Sequence, residues 1–217
     1  MARLFKPGAD TLARLVLVGL VAGPLAAFGL AYFSQISPWI RGTDVTVEQP
    51  VPFSHKHHVA EVGLDCRFCH ATVETNRFAG IPTSHVCMTC HSQLFTTAGM
   101  LAPVRDSLAH DVPLHWVRVN NLPGYVYFDH SAHITHGIGC VNCHGTVAQM
   151  PLTRQAAPLT MRWCLDCHRD PGPHVSPPGK VFDTTFRPHN SPGAARRLLA
   201  VWRIHTRGLT DCSTCHR

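Results

Sequence analysis

Charge is scarce in this 217-residue chain, where 15% of residues are Asp, Glu, Lys or Arg and 8% are aromatic. Seventeen prolines and sixteen glycines interrupt almost every stretch, which works against a conventional core of packed helices and sheets. No cysteine stands outside five short motifs, and that removes a structural disulfide framework. The formal net charge is +6, yet the basic residues are scattered and form no platform with aromatics, so nucleic acid is excluded as a partner.

What the chain has in abundance is Cys-x-x-Cys-His. Cys66, Cys69 and His70 form the first copy, then Cys87, Cys90 and His91, Cys140, Cys143 and His144, Cys164, Cys167 and His168, and Cys212, Cys215 and His216. These motifs use all ten cysteines. Two thiols three residues apart on a helical turn can add to both vinyl groups of a haem, and the next histidine then falls beneath the iron as proximal ligand. Zinc ribbons and thioredoxin-like redox sites also use Cys-x-x-Cys, but neither explains a histidine directly after every second cysteine. The motifs predict five covalent haem c groups. The other twelve of the 17 histidines supply what five irons need as second axial ligands. The fold expected is a multihaem cytochrome c, with short α-helices and loops wrapped around five haems and little other secondary structure. Haem propionates add roughly two negative charges per cofactor and offset the basic excess.

Residues 15–33 carry no charge and are long enough for a transmembrane helix across about 30 Å of hydrocarbon. Arg3, Lys6 and Arg14 precede them, which places the N-terminus in the cytoplasm, while Tyr32, Phe33 and Trp39 suit the outer interface. A cleaved signal peptide is the competing reading. The apolar run exceeds a usual signal core and no clear Ala-x-Ala site follows, so the expectation is a single-pass anchor in the inner membrane with the haem domain on the periplasmic side.

The remainder contains a duplication. Phe53, His55, His58 and Gly63 lead to Cys66 as Phe128, His130, His133 and Gly137 lead to Cys140, and Ala71-Thr72-Val73 after His70 matches Gly145-Thr146-Val147 after His144. Histidines three residues apart share a helical face but project from adjacent turns, so one reaches the haem of its own module and the other a neighbour. His57 points off that face. Phe-x-His-x-x-His before Cys-x-x-Cys-His resembles the class III cytochromes, the c3 and c7 families. The resemblance implies that His55 caps the Cys66 haem and His130 the Cys140 haem, with His58 and His133 capping others.

Four histidines do not complete five irons. Met150 and Met161 lie between the third and fourth motifs as candidate thioether ligands, against the alternative that each fills an apolar gap. Met161 approaches Cys164 from the proximal side and would serve another haem; Met150 has the freer loop. His85, His115, His136, His189 and His205 are reserves. The expected layout is a cytoplasmic N-terminus and anchor over 1–40, a first dihaem module over 41–91, a connector over 92–127, a second dihaem module over 128–170 and a C-terminal part over 171–217 with the fifth haem. Within it, residues 116–119 and 125–128 are predicted strands of a small hairpin, 171–193 a proline-rich extended connector lying along a partner, and 194–205 a helix.

The runs Leu122-Pro123-Gly124-Tyr125-Val126-Tyr127-Phe128-Asp129-His130-Ser131, Met161-Arg162-Trp163-Cys164-Leu165-Asp166-Cys167-His168-Arg169 and Leu209-Thr210-Asp211-Cys212-Ser213-Thr214-Cys215-His216-Arg217 together look like the pentahaem cytochrome subunit of alternative complex III. The resemblance covers nearly the whole chain. It implies an electron relay in a quinol oxidoreductase, beside an integral membrane quinol-binding subunit and an iron–sulfur molybdoenzyme-like subunit, passing electrons to a monohaem cytochrome c or a terminal oxidase. Asn120 is a departure, standing where relatives are expected to have histidine, and it argues against an indispensable iron ligand there. Two rivals are a self-sufficient quinol dehydrogenase with a short anchor and a multihaem reductase. The first predicts a haem immediately after the anchor, and the second an iron with an open position and acid–base residues above it.

Overall fold

A computed structural model describes residues 8–216, without the side chain of Trp39. Arg3, Lys6, Arg217 and the Trp39 ring therefore lie outside the described residues. The chain divides into two units, the first ending at Thr43 and the second beginning at Asp44.

In the first unit, helix α1 (Ala9–Ile36) runs for 28 residues, about 42 Å at 1.5 Å per residue. None of its residues is buried, and its mean hydropathy reaches 2.1. Such length and all-round apolarity fit a membrane-anchored protein. Pro38 forces its predecessor out of the helical region; Ser37 is accordingly extended, α1 ends, and the short α2 (Pro38–Arg41) starts on the proline. Gly42 closes α2 in a left-handed conformation.

The second unit is made of short helices and loops. They are α3 (Cys66–Cys69), α4 (Ser84–His91), α5 (Ala102–His110), α6 (His130–Ile134), α7 (Val141–His144), α8 (Met161–Arg169), α9 (Pro192–Val201) and α10 (Cys212–Cys215), joined by a π-helical turn (Lys56–Glu61) and 3-10 turns. Side-chain caps start several of them: Asp65 accepts from Arg67 N–H at α3, Asp129 from Ser131 and Ala132 N–H at α6, and Thr160 from Trp163 N–H at α8. β-Pairing within this unit takes the form of isolated antiparallel bridges, such as Thr46 with Arg154 and Ile138 with Val175.

The duplication appears in the backbone. Gly63 and Gly137 both take positive φ, +83° and +78°, and Leu64 N–H and Ile138 N–H bond back to the carbonyls of His58 and His133. The first copy carries one residue more between histidine and glycine. That extra residue is taken up as a π turn where the second copy has an α turn, so both ends of each copy stay in register.

The hydrophobic core is small. Val73, Ile134 and Val181 are buried together with Cys140, Phe182 and Trp202 against them. Trp202 lies so close to Gly137 that a Cβ there would meet its Nε1 at 2.4 Å, and the indole donates to the Ser176 carbonyl at 2.8 Å.

Three expectations need correction. Residues 116–128 form no hairpin: the Gln49 side chain takes both Val117 N–H and its carbonyl, at 2.9 and 2.8 Å, while Tyr127 N–H bonds the Cys215 carbonyl. With those ladder groups occupied elsewhere, cross-strand pairing has no donors to use. The 171–193 segment is not extended throughout, since Gly172–His174 form a 3-10 turn. Val175, Ser176 and Val181 are buried in it and Ser176 N–H bonds the Gly137 carbonyl, so it clamps this chain's own second module. The C-terminal helix ends at Val201, short of His205, because Arg203 turns to φ +54°.

Candidate haem-binding site

Each Cys-x-x-Cys-His falls on a helical turn, in α3, α4, α7, α8 and α10, and all ten cysteines are free thiols. In the first, third and fifth motifs the histidine N–H bonds the carbonyl of the first cysteine at 2.9 Å, closing the turn.

The duplicated histidines face the motif histidines. Ring centroids of His58 and His91 are 6.0 Å apart, those of His130 and His144 6.4 Å, and those of His133 and His168 6.0 Å. Two imidazoles binding one metal from opposite sides, with metal–nitrogen bonds of about 2 Å, hold their centroids roughly 6.3 Å apart. His55 lies near His70 and His58, whose charges act on it, and its own acts on His144. Three of the four expected distal histidines thus face three different motifs, His58 the second, His130 the third and His133 the fourth.

Their second nitrogens are tied down. The Nδ1 atoms of His58, His70, His91, His130, His133, His168 and His216 donate to the carbonyls of Ser54, Gly80, Leu94, Arg77, Asp129, Leu209 and Tyr125, at 2.6–3.2 Å. A carbonyl only accepts, so the proton sits on Nδ1 and the Nε2 lone pair is left for a metal. His55 Nδ1 pairs with Thr153 Oγ1 at 2.9 Å, and His144 Nδ1 with the Asn120 amide at 3.2 Å. His110 and His136 make similar Nδ1 bonds to Asp106 and Ala132, but no ring contact sets another histidine opposite either. Burial, with smaller contributions from neighbouring imidazoles, lowers His55 and His144 from 6.5 to about 4 and also lowers His133. Neutral imidazole is the form a metal takes.

The phenylalanines of the duplication have a role that their spacing hid. Phe53 stacks on His58 at 4.5 Å and sets its edge to His55 at 4.9 Å; Phe128 does the same to His133 and His130 at 4.6 and 4.8 Å. One ring therefore wedges two imidazoles into fixed orientations. The supporting groups Thr153, Asn120, Arg77 and Leu209 were missed because most act from distant sequence positions.

The thiols place the motifs in a row. Cys69 is raised by burial and by the nearby Cys87, Cys140 by a hydrogen bond with Cys66 and then by burial, Cys143 to about 12 by burial and by Cys167 and Cys164, and Cys164 by burial and by Cys215. The neighbour order is second, first, third, fourth, fifth. Backbone ties agree: His130 Nδ1 reaches Arg77 beyond the first motif, and His168 Nδ1 reaches Leu209 before the fifth.

Met150 is 2% exposed and Met161 63% exposed at the start of α8. His85, His115, His136, His189 and His205 are all exposed. His216 stacks on Tyr125 at 5.9 Å, and among the described residues no ring contact sets a histidine opposite it. His57 turns away to Glu61 at 2.9 Å, as its place off the ligating face implies.

Among the described residues no three His, Cys, Asp or Glu side chains converge as a cage for a bare metal ion, which a zinc ribbon requires. Opposed imidazole pairs beside free vicinal thiols fit haem c. No family model matches the chain. It is 36% identical over 182 residues to the menaquinone reductase multihaem cytochrome c subunit of Nitratidesulfovibrio vulgaris, the match covering 78% of this chain and 77% of that protein.

Proposed function

Because the chain belongs to the multihaem cytochrome c subunits of quinone oxidoreductases, we propose that it is the five-haem electron-transfer subunit of a membrane quinol oxidoreductase of the alternative complex III type. The observation that carries this reading is the set of opposed imidazole pairs at 6.0–6.4 Å. Bound haem c supplies reversible one-electron chemistry at iron.

The residues assigned to it are specific. Cys66 with Cys69, Cys87 with Cys90, Cys140 with Cys143, Cys164 with Cys167 and Cys212 with Cys215 hold the macrocycles. His70 with His55, His91 with His58, His144 with His130 and His168 with His133 are the axial pairs, and His216 is the proximal ligand of the fifth. Met161 remains a methionine candidate for completing it, whereas Met150, whose carbonyl takes the Lys56 N–H, is a candidate only within the first module. The chain's own contribution is rigidity: Nδ1 bonds fix each imidazole plane, Phe53 and Phe128 wedge the pairs, and the backbone sets neighbouring motifs beside one another in the order second, first, third, fourth, fifth. The row has two ends, at the second and the fifth motif. Helix α1 anchors it to the inner membrane with the sites on the periplasmic side, next to an integral quinol-binding subunit and an iron–sulfur molybdoenzyme-like subunit. A monohaem cytochrome c or a terminal oxidase is the outer partner.

A second reading reverses the direction. The Nitratidesulfovibrio vulgaris relative is named for reduction of menaquinone, and a row of sites of this kind serves either direction. Intact mass of the membrane-extracted protein, with its co-purifying subunits identified, tests the proposal. Five haem increments on a chain retaining 15–33 are expected; fewer increments or a truncated N-terminus would contradict it. Reduction of the complex by quinol with transfer to cytochrome c supports the forward reading, and quinone-dependent oxidation of the reduced complex without that transfer supports the reverse.

A further inference from the structure

The imidazole of His144 differs from the other eight in what its Nδ1 meets. Seven of those eight donate to a peptide carbonyl and His55 pairs with a hydroxyl, whereas His144 Nδ1 faces the side-chain nitrogen Nδ2 of Asn120 at 3.2 Å. The Asn120 Oδ1 is buried and has no hydrogen-bond partner. An amide nitrogen donates, so this orientation needs a bare Nδ1 and puts the imidazole proton on Nε2. That is the tautomer that cannot bind iron.

The oxygen and nitrogen of an amide have the same shape, and the hydrogen-bond network decides between them. Once Nε2 binds metal, Nδ1 carries the proton, and two donors would face each other across 3.2 Å. A half-turn of the Asn120 amide brings Oδ1 onto that proton. The half-turn leaves one unpartnered group in either orientation, so the tautomer of His144, and not the amide's own bonding, sets the choice. An acceptor on Nδ1–H raises the basicity of the ligand, and a more electron-rich ligand lowers the reduction potential of the iron it holds.

We propose that Asn120 is a positioning residue of the third site: its Oδ1 accepts from the Nδ1–H of His144 in the metal-binding tautomer and holds the potential of that iron below the value it has without the acceptor. This rests on the haem reading of the third motif. The position matters because this motif lies inside the row, with Cys140 against Cys66 and Cys143 beside Cys167. For seven of the imidazoles the acceptor is backbone and cannot be changed by substitution. Here it is a side chain.

The test uses full-length, membrane-extracted protein carrying its haems, with Asn120→Leu and Asn120→Asp compared by intact mass, low-spin EPR and spectroelectrochemical titration at alkaline pH. The expected result is five haems in both variants and one shifted midpoint among five, upward for Asn120→Leu and downward for Asn120→Asp. A merely structural disturbance moves both variants the same way. Shifts of the same sign, or no shifted component in either, overturn the proposal. If Asn120→Leu loads fewer haems, the near-isosteric Asn120→Asp decides alone: a fall supports the proposal, and a rise or no change overturns it. Parent protein lacking a haem at Cys140 and Cys143 would instead refute the haem reading of that motif.

Discussion

Replacing His133 by alanine tests the pairing of histidines across motifs. The imidazole sits 6.0 Å from that of His168 and stacks on Phe128 at 4.6 Å, with its Nδ1 bonded to the Asp129 carbonyl at 2.7 Å. Alanine is a good helix former, and the Asp129 cap bonds the N–H groups of Ser131 and Ala132, so α6 survives the change. What is lost is one axial donor. One iron of five then becomes five-coordinate, about one-fifth of the low-spin signal disappears, and the reduced protein binds one equivalent of carbon monoxide more than the parent. The assignment to the fourth motif is checked in a Cys164→Ser, Cys167→Ser background, which lacks that haem; there His133→Ala adds no further equivalent. Unchanged low-spin intensity and carbon monoxide uptake would show that His133 is not a ligand. An extra equivalent that persists in the double-serine background would show that it faces another iron.

Gly137→Ala tests the clamp. A left-handed φ of +78° costs a Cβ residue about 1–2 kcal/mol, and the 2.4 Å approach to Trp202 adds about 1–3 kcal/mol of overpacking. The melting temperature should fall by roughly 4–20 °C; a change under about 2 °C would mean that Trp202 does not pack there. Acidification should destabilise the chain through His55 and His144, which burial lowers from 6.5 to about 4. The folded state prefers the neutral form, so stability is full above pH 6.5 and falls as pH drops toward about 4. Metal binding acts in the same direction. A urea midpoint that rises between those values on acidification would refute the assignment. The purified single chain should exchange electrons with small cytochromes yet not oxidise quinol; steady quinol-dependent reduction, blocked by a quinone-site inhibitor, would favour the self-sufficient dehydrogenase.

The elements that were legible in the sequence are those specified locally. Residues 15–33 announce α1 by lacking charge, the capping residues Asp65, Asp129 and Thr160 stand directly before their helices, and each Cys-x-x-Cys-His makes its own turn. The duplicated Phe-x-His-x-x-His pointed to His58, His130 and His133, whose rings stand 6.0–6.4 Å from motif histidines, because a local turn fixes how the two imidazoles diverge. Two of the three failures were non-local, and the third, the early end of the C-terminal helix, lies in the Arg203 backbone. The 116–119 segment has strand-forming residues, but its hydrogen bonds go to Gln49, 68 residues away, and no pattern within the segment reveals that. The prolines of 171–193 read as an extended connector lying along a partner, whereas Val175 and Val181 are anchored by the second module. Asn120 attracted notice as a missing histidine, and its contact with His144 spans 24 positions.

On the proposed function, the anchor limits what this subunit can do with quinol. A quinol site needs ionisable or polar side chains beside the bilayer to take up two protons. Residues 15–33 carry no ionisable side chain other than the Tyr32 phenol, and the Tyr32 ring lies edge-on to Phe33 at 5.9 Å. The hydroxyl of Ser34, just beyond, is bonded to the Ala31 carbonyl at 2.7 Å. Residues 15–33 of helix α1 thus offer apolar contact around the circumference and no proton acceptor with a carboxylate or imidazole. On that reading proton release belongs to a partner with more than one helix, and the part proposed for this chain is electron transfer. The same division explains why its polar and titratable side chains concentrate after Thr43, where they hold imidazoles in place.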